Sequence, residues 1–477
     1  MNALDLARWQ FAITTVYHFL FVPITIGLTA CIAIMQTIWH RGGDDRWLRL
    51  TKFFGKLFMI NFALGLVTGI VQEFQFGMNW SLYSRFVGDI FGAPLAFEAL
   101  LAFFLESTFL GLWIFGWDRL PRKAHLASIW LVHLGTVFSA YFILAANSFM
   151  QNPVGYTYNP TTNRAELADF VAVLTNEVQL VTFPHVLTGA YMSAGAFIMG
   201  VALYHLRKQA LDRGSDLAMY RKAVRFGAIV ALVGGLGVVV SGDLQGKVMT
   251  TYQPMKMAAA EALYESRTNA PFSVLTIGSL DGSSAKPILE VPGLLSFLGT
   301  GSFNGEIKGI NDLQDAYAAK YGSAALTQSA SYVPTIWLTY WNFRLMMGTG
   351  FLTMFFAALA LWKTRGEGVV TGRIWKHIAI WTPLLPVMAN SFGWIFTEVG
   401  RQPWIVNGMM TTSSGVSSSV PASSVIISMV IFTLLYGALA VVEVKLMLKY
   451  IRPGAVTVSE PIDPADRHED APLVFAY

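Results

Sequence analysis

Nine long apolar runs punctuate this chain, at 12–39, 54–76, 94–117, 126–149, 178–206, 221–241, 333–362, 375–397 and 423–449. A run of about 20 mostly apolar residues crosses a bilayer as a helix. Lipid offers the backbone no hydrogen-bond partner, so each run has to satisfy its own N–H and C=O groups. The chain therefore reads as an all-α integral membrane protein with nine transmembrane helices. Composition agrees: of 477 residues 54% are hydrophobic and 13% charged, about half the charge of an ordinary soluble domain. The opening MNALDLARWQ carries an Asp and an Arg, and the run behind it is too long for a cleaved signal. It is expected to stay as part of the first helix.

The connections sort by basic residues. Segments 40–53, 118–125, 207–222 and 363–376 are rich in Lys and Arg, whereas 77–93, 150–177 and 398–422 hold only Arg85, Arg164 and Arg401. The positive-inside rule puts the N-terminus outside and the C-terminus in the cytoplasm. Four regions follow: helices one to six in 1–241, a long outer loop in 242–332, helices seven to nine in 333–450, and a tail in 451–477. A loop of that length in a compact protein is usually functional. The polar stretch 411–424 is expected to be flexible and the acidic tail poorly ordered. The net charge of +4 is scattered, which argues against a nucleic-acid partner. Cys31 is the single cysteine, so no internal disulfide forms, and no C-x-x-C-H occurs.

An ionisable side chain within a span is costly and marks a functional site. His18, Glu98, His185, Met346 and Glu398 are expected in the outer parts of five helices, with Glu106 eight residues deeper than Glu98. Imidazole and thioether are common axial ligands of haem iron, so haem is the cofactor that suits this set. Each residue also has a plain reading: a membrane His can bond a neighbouring carbonyl, a Met can be core, and two Glu can be a structural pair. His133 lies away from the set and reads as structural. A haem–copper site needs more intramembrane His than His18, His133 and His185 provide. A proton-coupled transporter would use the Glu set but needs broken helices or inverted repeats. A haem b electron-transfer anchor would leave His18, Glu98 and Glu398 idle. The run 234–242, GGLGVVVSG, reads as helix packing.

The stretches 62–108, YHFLFVP (17–23), ANSFMQNP (146–153) and GRQPW (400–404) resemble subunit I of the cytochrome bd quinol oxidases over nearly the whole chain. The resemblance implies two haem b and one haem d, quinol and O2 as substrates, a homologous second subunit with small single-helix subunits, and a bacterial cytoplasmic membrane. It implies His18 as ligand of haem d, Glu398 of the high-spin haem b, and His185 with Met346 as the axial pair of the low-spin haem b. Glu98 would sit beside haem d. Arg344 and Arg401 would offset propionate charge, and Trp394 would stack between haems. Lys256 and Glu261 match the quinol-loop pair, in a loop of the shorter type. They stand five apart in an Ala-rich stretch that reads as a short helix, so they do not share a face. Cytoplasmic protons would pass Glu106, Ser107, Ser139 and Asn147.

Overall fold

The computed structural model describes residues 2–278, 285–322 and 331–461. Among these residues nine helical segments are long and apolar enough to cross a membrane. The first is α1 (Ala3–His18) followed by α2 (Val22–Gly42), and the second is α3 (Asp45–Met78). The third is α4 (Ser81–Phe97), a π-helical turn (Glu98–Phe103) and α5 (Phe104–Phe115). The fourth is α6 (Arg122–Gln151). After a hairpin and the short α7 (Phe170–Leu174) come α8 (Glu177–Asp212) and α9 (Leu217–Tyr252). Three short helices lie in the long connection: α10 (Pro254–Glu261), α11 (Leu294–Thr300) and α12 (Ile310–Tyr321). The remaining spans are α13 (Ile336–Lys363), α14 (Arg373–Trp381) with α15 (Leu384–Gly400), and, beyond the one-turn α16 (Thr412–Gly415), α17 (Ala422–Ile451). Paired strands are confined to short antiparallel ribbons in the connections.

The nine expected spans are present, with several differences inside them. The first is broken, because Pro23 has no N–H to continue the helix across Phe19–Phe21. Asn61 bridges the break by donating to the Phe21 carbonyl at 2.9 Å and to the Thr25 hydroxyl at 2.8 Å. The third span starts at Ser81 and not near 94, so 77–93 is a turn at Asn79–Trp80 and then helix. Tyr83, Phe86, Val87, Ile90 and Pro94 repeat at helical spacing and are buried. Glu98 consequently stands midway along this span and not near its outer end. The helix α9 runs on to Tyr252, past the expected edge at 241.

The α8–α9 pair forms the spine. A Cβ on Gly195 would stand 2.7 Å from the Gly227 carbonyl oxygen, and one on Gly234 would stand 2.6 Å from the Met192 nitrogen. Only glycine permits so close a crossing, which bears out the packing reading of most of 234–242. The largest apolar cluster, including Leu28, Ile32, Leu57, Phe58, Ile198 and Met199, fills the half of the bundle away from the long connection.

Two polar segments make specific contacts with the helix ends. The tail is laid across the helix ends at least as far as 461. Arg49 donates to the Ala455 carbonyl at 2.6 Å and pairs with Asp216 at 2.8 Å, and Tyr220 accepts from the Ala455 nitrogen at 2.9 Å. The rest of the expected disordered tail, 462–477, lies outside the described residues. In 411–424, Thr412 donates to Gln402 at 2.8 Å and Ser417 to the Met78 carbonyl at 2.8 Å.

Candidate active site

The histidines divide by what holds their ring nitrogens. His18 ends α1, and its Nδ1 lies 2.9 Å from the Thr68 hydroxyl. That hydroxyl lies 3.0 Å from both the Leu64 and the Gly65 carbonyl oxygens. With its single hydrogen given to either, it accepts from His18, and in that tautomer Nδ1 carries the proton and Nε2 keeps its lone pair. The next residue, Gly69, faces the ring: a Cβ there would lie 3.2 Å from His18 Cε1. The arrangement recurs at His185, whose Nδ1 is 3.1 Å from the Ser241 hydroxyl, which itself donates to the Gly237 carbonyl at 2.6 Å. Gly242 faces that ring, with a Cβ position 3.3 Å from Cε1. With the Nδ1 proton directed at its hydroxyl partner, each imidazole presents an Nε2 able to bind metal.

His133, and His125 and His205 nearer the helix ends, are engaged by the protein. His133 contacts Thr29 Oγ1 at 3.0 Å and the Tyr191 hydroxyl at 3.3 Å through its two nitrogens, as its structural reading expects. His125 is held by Gln36 and by the Trp113 carbonyl, each at 2.8 Å. His205 bonds the Ile451 carbonyl at 2.7 Å and stacks on Tyr220.

Met346 lies against Gly393 of α15, where a Cβ would be 2.9 Å from its sulfur. Glu398, five residues further along α15, forms an ion pair with Arg401 and accepts from Asn147 Nδ2 at 3.3 Å. Arg401 is buried, and its Nε and one Nη have no protein partner. Trp394 stacks on Phe19 beside the break in the first span, centroids 4.5 Å apart.

Glu98 opens the π-helical turn, is buried, and accepts from the Ser139 hydroxyl at 2.6 Å. Such turns are frequent at functional sites. Glu106 packs on Gly135 of α6, where a Cβ would lie 2.9 Å from its Cγ. Ser107 does not join this group: its hydroxyl donates back to the Phe103 carbonyl at 2.8 Å on an exposed face. Asn147 reaches Glu398 and not Glu98.

The loop pair is buried, not solvated. Lys256 and Glu261, at 2% and 5% exposure, point to different neighbours, as their five-residue spacing requires. Lys256 Nζ donates to Gln151 Oε1 at 3.2 Å. Burial, and then Arg401, push its ammonium down to about 7 against the opposing pull of Glu398. Glu261 pairs with Arg344 at 2.7 Å and accepts from the Ser273 nitrogen at 3.2 Å, while its Oε1 has no partner. Burial pushes its carboxyl up to about 7, opposed by Arg344 and Ser273. The Arg344 guanidinium is committed to this loop, donating also to the Ser273 and Ala260 carbonyls and lying over Tyr340. These contacts clamp α10, whereas Arg401 keeps buried donors free.

This donor set fits haem. Two imidazoles present Nε2 lone pairs, a thioether lies against a glycine, a carboxylate stands beside arginine, and unpaired guanidinium N–H groups suit propionates. Sequence reasoning missed Thr68, Gly69, Ser241, Gly242, Gly393 and Gln151. A signal for four of them was present: a hydroxyl–glycine dipeptide inside an apolar run, at 68–69 and at 241–242.

Residues 6–455 match the family model of cytochrome bd terminal oxidase subunit I. The chain is 44% identical to cytochrome bd ubiquinol oxidase subunit 1 of Bacillus subtilis (strain 168), covering 99% of this chain and 97% of the relative. It is 35% identical to cytochrome bd-II ubiquinol oxidase subunit 1 of Escherichia coli (strain K12), over 96% and 99% of the two chains. Among solved structures, the bd oxidase from Geobacillus thermodenitrificans superposes with a TM-score of 0.83 at 27% identity, covering 95% of this chain and 99% of that one. Sequence, fold and the haem-ready donor set agree, and the chain belongs to the cytochrome bd terminal oxidase subunit I family.

Proposed function

We propose that this chain is the haem-bearing catalytic subunit of a quinol:oxygen oxidoreductase in a bacterial cytoplasmic membrane. The observation that carries it is the repeated His–hydroxyl–glycine arrangement, which leaves His18 and His185 each with a free Nε2. A haem b carrier without oxygen chemistry would use His185 and Met346 and would give the His18 arrangement no task.

His185 and Met346 would hold the low-spin haem b, His18 haem d with Glu98 near it, and Glu398 the high-spin haem b. Arg401 would take propionate charge and Trp394 would lie between cofactors. When bound, the haems supply one-electron carriers and an iron at which oxygen is reduced. Quinol would bind in the loop, with its oxygen held by Lys256 and its proton taken by Glu261. Lys256 gives one of its three N–H groups to Gln151 and keeps two for a ligand. Glu106, Ser139 and Glu98 would hold protons on the way from the opposite end. With that end in the cytoplasm, proton release at the loop and uptake from the other side separate charge without a pump. A homologous second subunit, with small single-helix subunits, would cover part of the exposed apolar faces of α13 and α17.

The test is quinol-driven oxygen consumption by the purified complex, alongside reduced-minus-oxidised spectra. The reading expects both activity and a chlorin band. Oxygen consumption without haem, or haem b without oxygen consumption, would refute it.

A further inference from the structure

Between the loop and the carboxylate of α15 runs an unbroken line of side chains. Lys256 Nζ donates to Gln151 Oε1 at 3.2 Å, Gln151 Nε2 to Asn147 Oδ1 at 2.8 Å, and Asn147 Nδ2 to Glu398 Oε1 at 3.3 Å. The two ends fix the two amides. An ammonium only donates, so Gln151 must turn its oxygen to Lys256 and its nitrogen to Asn147. Glu398, paired with Arg401, accepts, so Asn147 turns its nitrogen to Glu398 and its oxygen to Gln151. The assignments meet in the middle without conflict, and every hydrogen bond points the same way. Gln151 and Asn147 stand one turn apart near the end of α6. The Gln151 backbone is held as well, by Gln253 Nε2 on its carbonyl at 3.2 Å. The Lys256 stem passes directly over Gly400, where a Cβ would lie 2.7 Å from Lys256 Cγ. Any side chain at that first position of GRQPW would push the lysine off its line.

We propose that Gln151 and Asn147 are positioning residues that couple the loop lysine to Glu398, so that the charge at the quinol loop is felt by the iron-facing carboxylate. The proposal rests on the reading above, in which Lys256 meets quinol and Glu398 meets a haem. A row of aligned amides between a cation and an anion is polarised along its length. Donation into Glu398 draws electron density from the carboxylate and makes it a weaker partner for ferric iron. Cutting the row leaves a more basic ligand and a lower midpoint potential. It also frees Lys256 from its bearing and weakens quinol binding.

The test measures the midpoint potential of the high-spin haem b by spectroelectrochemistry, and the quinol KM, in the intact complex. Gln151→Met should lower the potential and raise KM by about tenfold. Lys256→Met should lower the same potential from the far end, and the double variant should add little to either alone. Glu261→Gln, on the Arg344 side of the loop, should alter quinol oxidation and leave that potential in place. If Gln151→Met fails to assemble, Lys256→Met decides. A wild-type potential in Lys256→Met and in any assembled Gln151→Met overturns the coupling, even where quinol kinetics suffer. A lowered potential with unchanged quinol kinetics upholds the coupling and instead removes quinol from the loop.

Discussion

The two ends of this bundle treat buried polar groups in opposite ways. Away from the long loop most polar groups close on each other, although Arg122 keeps its Nε without a partner. His125 has both nitrogens occupied, Arg49 grips Asp216 and two tail carbonyls, and Lys222 pairs with Asp44 at 2.6 Å. Toward the loop, His18 and His185 turn Nε2 outward from their hydroxyl partners, and Glu261 and Arg401 keep buried atoms without partners. Buried polar groups are nearly always satisfied, so an exception needs a reason. At one end the partners of most polar groups come from the fold itself. At the other, the open donors and acceptors suit the proposed cofactors and quinol. Residue type alone does not separate the two, and hydrogen-bond completeness does.

The sharpest break of this comparison exchanges its histidines. His18→Ala or His185→Ala should abolish one haem signal, while His133→Ala should leave all haem spectra and cost only stability. Loss of a haem in the His133 variant with retention in the others would invert the division. Next in size, Glu106→Gln should lower oxygen turnover by about a hundredfold, read as steady-state oxygen uptake with haem content unchanged. Full turnover would take Glu106 off the proton route.

The loop pair predicts a pH profile. Glu261 accepts a proton only when ionised, above about 7, and Lys256 stays a charged donor only below about 7. The profile of kcat/KM for quinol should therefore be a narrow bell near neutrality. Glu261→Gln should remove the acid limb and Lys256→Met the alkaline limb, each at reduced activity. A profile flat across neutrality in the unaltered protein would exclude both groups as the titrating pair. The smallest effect belongs to the other end: Arg49→Ala should cost about 1–3 kcal/mol of stability, measured by thermal unfolding, with spectra and quinol kinetics intact.

Much of this was legible from residue patterns. Spans follow from apolar length, His18, Glu98, His185 and Glu398 stand out by the cost of polarity in lipid, and Met346 joins them only as a thioether of ligand type. What stayed hidden depends on partners remote in sequence. Nothing near Arg344 announces that Glu261 will take its guanidinium, and nothing near Gln151 announces Lys256. The short apolar stretch before Pro94 looked like a connection because its helix period is interrupted by Ser84, Arg85 and Asp89. The tail looked disordered because its composition is polar, yet its backbone supplies the acceptors that Arg49 needs.

A loop end shaped around haem held by particular side chains has a spectral consequence, read in redox difference spectra of the intact complex beside its Met346→Leu variant. The unaltered protein should show low-spin haem b, high-spin haem b and a red-shifted chlorin band, and the variant should lose the low-spin component alone. A low-spin signal that survives in Met346→Leu, or a native spectrum without the chlorin band, would contradict that assignment.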